Sequence, residues 1–190
     1  MKICLYGASS PDIASSYIDE VERLGRLMAE RGHSMIYGGG TNGLMGAAAR
    51  GMSTAGGHIT GIAPAFFDNH GVLYEKCDEF IFTETMAERK QLMEDMADAF
   101  ISVPGGIGTY EELFQVLTLK QLARINKPIG IFNINGYYDQ VEDLLRMTVE
   151  KGFMRSACLQ IYGIYDDAET LLTYIERELD APVDLTALKF

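Results

Sequence analysis

Residues 98–113 read DAFISVPGGIGTYEEL. DAFISVP (98–104) is a short apolar run, the pattern of a strand covered on both faces. Three glycines then fall within four positions, at 105, 106 and 108, just where a helical stretch over 108–124 begins. Glycines at such a place mean that the backbone must come close to something, most often a phosphate. The adjacent Glu111 and Glu112 mean either helix capping or chemistry.

The same alternation continues on both sides. KICLYG (2–7), SMIYGGG (34–40), HITGIAP (58–64), EFIFTE (79–84), KPIGIFN (127–133) and a short piece near 160–165 read as strands. The first helix is expected to open on Ser10-Pro11 as N-cap and N1 and to run through Tyr17, Val21, Leu24 and Met28 to Arg31-Gly32. A small-residue helix, GLMGAAARGM, follows the second strand, and residues 65–77 read as a loop. Further helices are expected near 85–97, over Tyr138–Lys151 and over Ala168–Leu179. DAPVDLTALKF (180–190) reads as a tail packed on the body or on a partner chain. Apolar strands each followed by a helix specify an α/β fold: a Rossmann-like, doubly wound parallel sheet with helices on both faces, here one domain over residues 1–190. In such sheets ligands bind beyond the carboxyl ends of the strands. YGASS (6–10), YGGGTNG (37–43), the loop after Phe82 and VPGGIGT (103–109) should therefore converge.

With 190 residues, 47% hydrophobic and 23% charged, the chain can bury a substantial core without staples. Sixteen Lys and Arg against 27 Asp and Glu leave a net charge of −11, which argues against nucleic-acid partners and against docking on an anionic membrane. An anionic small molecule must then be held by local donors. Cys4, Cys77 and Cys158 show no metal-ligand spacing, and His33, His58 and His70 form no HxH or HxxxH pattern, so neither a metal nor a cofactor is expected. MKICLYGASS reaches a polar turn too soon for a signal peptide and no apolar run approaches a membrane span, so the expectation is a cytoplasmic protein.

Two glycine loops compete for the ligand. Gly38-x-Gly40-x-x-Gly43 follows a strand and precedes a helix, as in dinucleotide folds. That fingerprint expects an acid about 20 positions on, to hold a ribose hydroxyl. Residues 56–67, GGHITGIAPAFF, contain none. A nicotinamide-dependent oxidoreductase is therefore disfavoured. Gly43 and Gly46 fit a tight turn with close packing, while Gly39, Gly40 and Thr41 are expected to form one wall of a nucleotide pocket. In the second loop, Gly105, Gly106 and Gly108 leave backbone N–H groups unobstructed, Thr109 adds a hydroxyl, and the helix dipole adds partial positive charge. There is no Walker A pattern.

Thr109-x-x-Glu112 also satisfies the capping-box pattern, which would leave Glu112 a purely local role. Adjacent helical residues point about 100° apart, so Glu111 and Glu112 cannot face one target identically. In TETMAERKQLM (83–93), Thr85-x-x-Glu88 is another capping box, yet Arg89 and Lys90 place two cations where they oppose the helix dipole. In so acidic a chain this points to an anionic ligand. Met86, Met93 and Met96 fit core packing, and Met86 is also placed in the candidate substrate-binding set.

VPGGIGTYEE, preceded by MAERK and earlier by YGGGTNGLMG, resembles the LOG family, historically labelled "possible lysine decarboxylase". The resemblance spans roughly residues 2–165, and MKICLYGASS without plant-type features points to a bacterial member. It implies hydrolysis of the N-glycosidic bond of a nucleoside 5′-monophosphate, AMP or a cytokinin riboside 5′-monophosphate, to free base and ribose 5-phosphate by a homodimer. By motif position it implies that Gly105, Gly106, Gly108 and Thr109 hold the phosphate, that Glu112 and Arg89 are the catalytic pair, that Lys90 and Glu111 line the site, and that Thr118 contributes. Helix 113–123, LFQVLTLKQLA, is a candidate dimer face, although a helix buried within one subunit has the same pattern. Plant-type members carry a histidine near the Arg-Lys pair and a glutamate after the third strand, where this chain has TMAERK and APAFFDNH. The alternative is a non-catalytic nucleotide-binding or sensing protein of the same fold, which would keep the loops but not need the Arg89–Glu112 pair. Decarboxylation is unsupported, because no lysine is marked out for a Schiff base.

Overall fold

A computed structural model describes residues 1–67 and 71–188, so Asp68, Asn69 and His70 of the APAFFDNH stretch lie outside the described residues. Seven strands form one parallel sheet: β1 (Lys2–Tyr6), β2 (Ser34–Tyr37), β3 (Ile59–Pro64), β4 (Glu79–Thr83), β5 (Ala99–Ser102), β6 (Ile129–Phe132) and β7 (Gly163–Tyr165). Their order is β4-β3-β2-β1-β5-β6-β7. All seven occur where the apolar runs predicted them. Ile3 pairs with Met35 on one side and Ala99 on the other, so β1 and β5 mark the point where the strand order reverses.

Between the strands lie α1 (Ser15–Glu30), α2 (Gly43–Thr54), α3 (Met86–Met96), α4 (Ile107–Gln121), α5 (Asp139–Glu150) and α6 (Ala168–Asp180). Strand residues alternate between the two faces. Ile3 and Leu5 pack with α1, α2 and α6, while Cys4 and Tyr6 pack with α3 and α4. α1 and α2 cross backbone against backbone: a Cβ on Gly25 would lie 2.2 Å from the Ala48 carbonyl oxygen, and one on Gly51 would lie 2.0 Å from that of Glu22.

Some local expectations change. α1 begins at Ser15 after an Ala14 that makes no side-chain cap, four residues later than Ser10-Pro11 suggested. Ser10 instead accepts the Asp12 N–H in a local turn, a side-chain-to-backbone bond that competes with helix entry. The Thr85/Glu88 capping box is present at α3. The tail packs on the body over its described residues: Leu185–Leu188 forms a 3-10 turn, Leu188 is buried, and Asn126 donates to the Val183 carbonyl at 3.2 Å. In α4, Leu113, Val116 and Leu117 are buried in the subunit's own core, while Phe114 and Leu119 are half-buried and Leu122 is exposed. Cys4, Cys77 and Cys158 are free thiols, and no helix among the described residues is long and apolar enough to cross a membrane.

Candidate active site

The carboxyl ends of β1, β2, β3 and β5 surround a cavity of about 560 Å³. Its lining divides by chemistry. Its polar lining comprises Ser9, Ser10, Thr109, Arg89, Glu112 and the backbone at Gly106 and Gly108; its apolar lining comprises Met45, Phe67, Val72, Leu73 and Met86.

The polar lining is built on the start of α4. Its N-cap is Gly106, which has no side chain to offer, so the first-turn N–H groups keep their free valence. Methyl groups placed on Gly106 or Gly108 would meet nothing within 4 Å. Gly105 differs: its Cβ would stand 2.1 Å from the Thr109 hydroxyl, and its carbonyl accepts the Tyr137 hydroxyl at 2.7 Å. Gly105 therefore shapes the loop, while Gly106 and Gly108 open it.

Thr109 lies inside α4, not at its cap, so the Thr109/Glu112 capping box does not form. Glu112 turns across to α3, where Arg89 Nη1 donates to its Oε1 at 2.9 Å. Both side chains are nearly buried, at 9% and 14% exposure. Arg89 is anchored further by Nε donating to the Ile62 carbonyl at 3.1 Å. Burial pushes the Glu112 carboxyl above the ordinary glutamate range; Arg89 opposes that shift and Glu111 adds to it. About 100° around each helix, the adjacent residues Lys90 and Glu111 pair at 2.5 Å on a more exposed rim and do not line the cavity.

The first glycine loop serves the protein itself. A Cβ on Gly38 would come 2.4 Å from Arg89 Nη2, so this glycine makes room for the guanidinium. Gly39 has φ +79° and packs against Phe80. The start of α2 is closed by the chain, since Leu44 and Met45 N–H both donate to the Ala8 carbonyl, at 2.9 and 3.2 Å. Of the expected wall, Gly40 lines the cavity. Gly39 and Thr41 act behind it: Thr41 N–H donates to the Val72 carbonyl, and Tyr74 N–H to that of Gly39. These bonds lay residues 71–74 beside the loop and bring Val72 and Leu73 to the cavity.

Met86 is 42% exposed and lines the cavity, so its core-packing reading fails, whereas Met93 is buried. Thr118 is elsewhere: its hydroxyl donates to the Phe114 carbonyl, and it borders a separate groove of about 280 Å³ between α4 and α5. Gly7, Ala8, Ser9, Ser10 and Gly38 line the cavity from two of the segments expected to converge, though they are not among the named candidate site residues; Met45, Phe67, Val72 and Leu73 are additions of the structure. The small residues after β1 carry a signal, because they follow a strand at the order reversal. Val72 and Leu73 carry none.

A family model described as "possible lysine decarboxylase" matches residues 45–175. The probable cytokinin riboside 5′-monophosphate phosphoribohydrolase LOGL5 of Oryza sativa subsp. japonica is 37% identical over 188 residues, which are 99% of this chain and 76% of the relative. The chain belongs to the LOG family. LOG2 of Arabidopsis thaliana, a cytokinin riboside 5′-monophosphate phosphoribohydrolase, is 36% identical over 93% of this chain and 83% of its own length. The molybdenum cofactor carrier protein of Chlamydomonas reinhardtii superposes with a TM-score of 0.72 at 20% identity, over 94% of this chain and 98% of that one. At that identity the likeness is one of fold. The stretch VPGGIGTYEE, which carries the family likeness, thus supplies the cavity with both open glycines, at 106 and 108, and the carboxylate at 112.

Proposed function

We propose that this LOG family protein hydrolyses the N-glycosidic bond of a nucleoside 5′-monophosphate, releasing the base and ribose 5-phosphate. One observation carries the reading: an open helix N-terminus and a nearly buried Arg–Glu pair line the same cavity, together with apolar side chains that can pack on a base. The phosphate sits on the N–H groups around Gly106, Gly108 and Thr109, and the base lies among Met45, Phe67, Val72, Leu73 and Met86. Binding energy from the phosphate, remote from the reacting bond, then serves the chemistry at C1′.

As the C1′–N bond breaks, positive charge develops on the ribose. The Glu112 carboxylate stabilises that charge and takes a proton from the attacking water, whose oxygen bonds to C1′. The departing base carries off the bonding electron pair and takes a proton from solvent, and Glu112 returns the water's proton to solvent, so that one water is consumed and no net proton is left over. Arg89 holds the Glu112 carboxylate in place. A carboxyl raised by burial is a better base near neutral pH than an ordinary glutamate. Pairing of two copies, as the family resemblance implies, is part of this proposal.

The test is incubation with AMP and with N6-isopentenyladenosine 5′-monophosphate, following free base by chromatography. Glu112→Gln should lower kcat roughly 10²–10⁴-fold, the range for loss of a general base. Arg89→Ala should act in the same direction. The acid limb of kcat against pH should lie above the ordinary glutamate range, with activity lost as pH falls through it, because the working form is the carboxylate. Binding of both nucleotides with no base released would replace this reading with that of a sensor.

A further inference from the structure

α3 and α4 run side by side across a seam bridged by polar side chains. Arg89 reaches Glu112 and Lys90 reaches Glu111 at the cavity end. Deeper along the seam, Gln115 Nε2 donates to Glu94 Oε1. Neither of these two residues lines the cavity. Glu94 is only 5% exposed, and its neighbour Met93 belongs to the core. A carboxylate in such a place costs stability that a well-packed apolar side chain would not, so its presence asks for a reason.

The positions suggest one. Glu94 lies five residues beyond Arg89 on α3, and Gln115 lies three beyond Glu112 on α4. At 1.5 Å rise per residue the bond is about 5–8 Å from the Arg–Glu pair along the helix axes. The catalytic pair draws its members from two different helices, so its geometry depends on how those helices are spaced. Arg89 ties α3 to β3 through the Ile62 carbonyl, and Lys127 Nζ holds the Glu94 main-chain carbonyl at 2.7 Å, fixing the α3 backbone at that point. We infer that Glu94 and Gln115 are positioning residues, whose hydrogen bond sets the spacing of α3 and α4 that brings Arg89 to Glu112. This rests on the phosphoribohydrolase reading and adds a supporting pair to it.

The charged and titratable groups facing Glu94 are Lys90 and Asp95 on its own helix, Glu111 on α4, and Cys4 and Tyr6 on β1. Burial raises the Glu94 carboxyl, and the Gln115 bond and Lys90 pull it back. The test must therefore separate the hydrogen bond from the charge.

Glu94→Gln keeps an acceptor for Gln115 and removes the charge; Glu94→Leu removes both and fills the space. Glu94→Leu should lower kcat roughly ten- to hundredfold, as small misplacements of catalytic groups do. KM should change little, and the melting temperature should not fall. Glu94→Gln should stay near the wild type. A second readout needs no turnover: the titration midpoint of the Glu112 carboxyl, followed by carbon NMR. Loosening Arg89 from Glu112 raises that midpoint, whereas removing a neighbouring negative charge alone lowers it. A raised midpoint in Glu94→Leu but not in Glu94→Gln supports the inference. Wild-type kcat in Glu94→Leu, an unchanged or lowered midpoint, or equal losses in both variants overturns it. If the wild type cleaves no nucleoside monophosphate, the function proposed above fails, and the Glu112 midpoint alone decides the positioning role.

Discussion

The loops at 38–46 and 105–108 are alike in composition and opposite in use. In the first, the space beside the glycines is taken by the protein: the Arg89 guanidinium beside Gly38, the Phe80 ring beside Gly39, the Ala8 carbonyl beside Gly43 and the Thr41 carbonyl beside Gly46. In the second, only Gly105 is filled, by Thr109, and the space at Gly106 and Gly108 is empty. Both loops precede a helix, but the Ala8 carbonyl closes the start of α2 while the start of α4 has no cap. A glycine-rich turn before a helix is thus an anion site only when the fold leaves its N–H groups unclaimed.

Single methyl groups test this contrast. Gly46→Ala should have the largest effect: its Cβ would lie 1.9 Å from the Thr41 carbonyl, a backbone atom that cannot step aside. Destabilisation on the order of 4 kcal/mol, or failure to fold, is expected by denaturant titration. Gly38→Ala should fold but push the guanidinium off Glu112 and cost roughly 10²-fold in kcat. A wild-type kcat there would break the claim that this glycine serves Arg89. Gly106→Ala should cost no more than about 1 kcal/mol of stability, the scale of a poorer N-cap residue, since its methyl group meets nothing in the fold. Its methyl group would instead intrude on the phosphate and weaken nucleotide binding, read by calorimetry; unchanged affinity would move the phosphate elsewhere.

The smallest effect is expected at the other end of α4, where Ala123 has φ +52°. This is a position where conformation alone favours glycine, so Ala123→Gly should stabilise the protein by roughly 1 kcal/mol. A loss of stability would show that the alanine side chain packs better than its backbone strain costs.

Much of this was legible because its causes are local. Continuous apolar runs, each followed by a helical stretch, fit a covered parallel sheet, so the strand positions and the fold class are legible in the chain itself, although the edge strand β4 is only partly buried. The Thr85/Glu88 capping box is a contact between residues three apart, and it formed as written. The same pattern at Thr109/Glu112 does not form a box, because α4 starts two residues earlier, at Ile107, and leaves Glu112 free to meet Arg89, 23 residues away. Ser10 does not cap α1: its hydroxyl takes the Asp12 N–H in a local turn instead, a choice of backbone donor that pattern alone does not rank.

From its sequence alone this protein has its sheet, its alternation of faces, the two glycine loops at the ligand edge, and the carboxylate and cations nearby. Periodicity and motif spacing encode these directly. Only the tertiary structure decided which loop is empty, that Arg89 reaches Glu112, that Val72 and Leu73 come to the cavity, and that Thr118 stands apart from it. Each of these depends on which groups from distant segments arrive first at the same few ångströms of space, and close packing permits only one of them to stay.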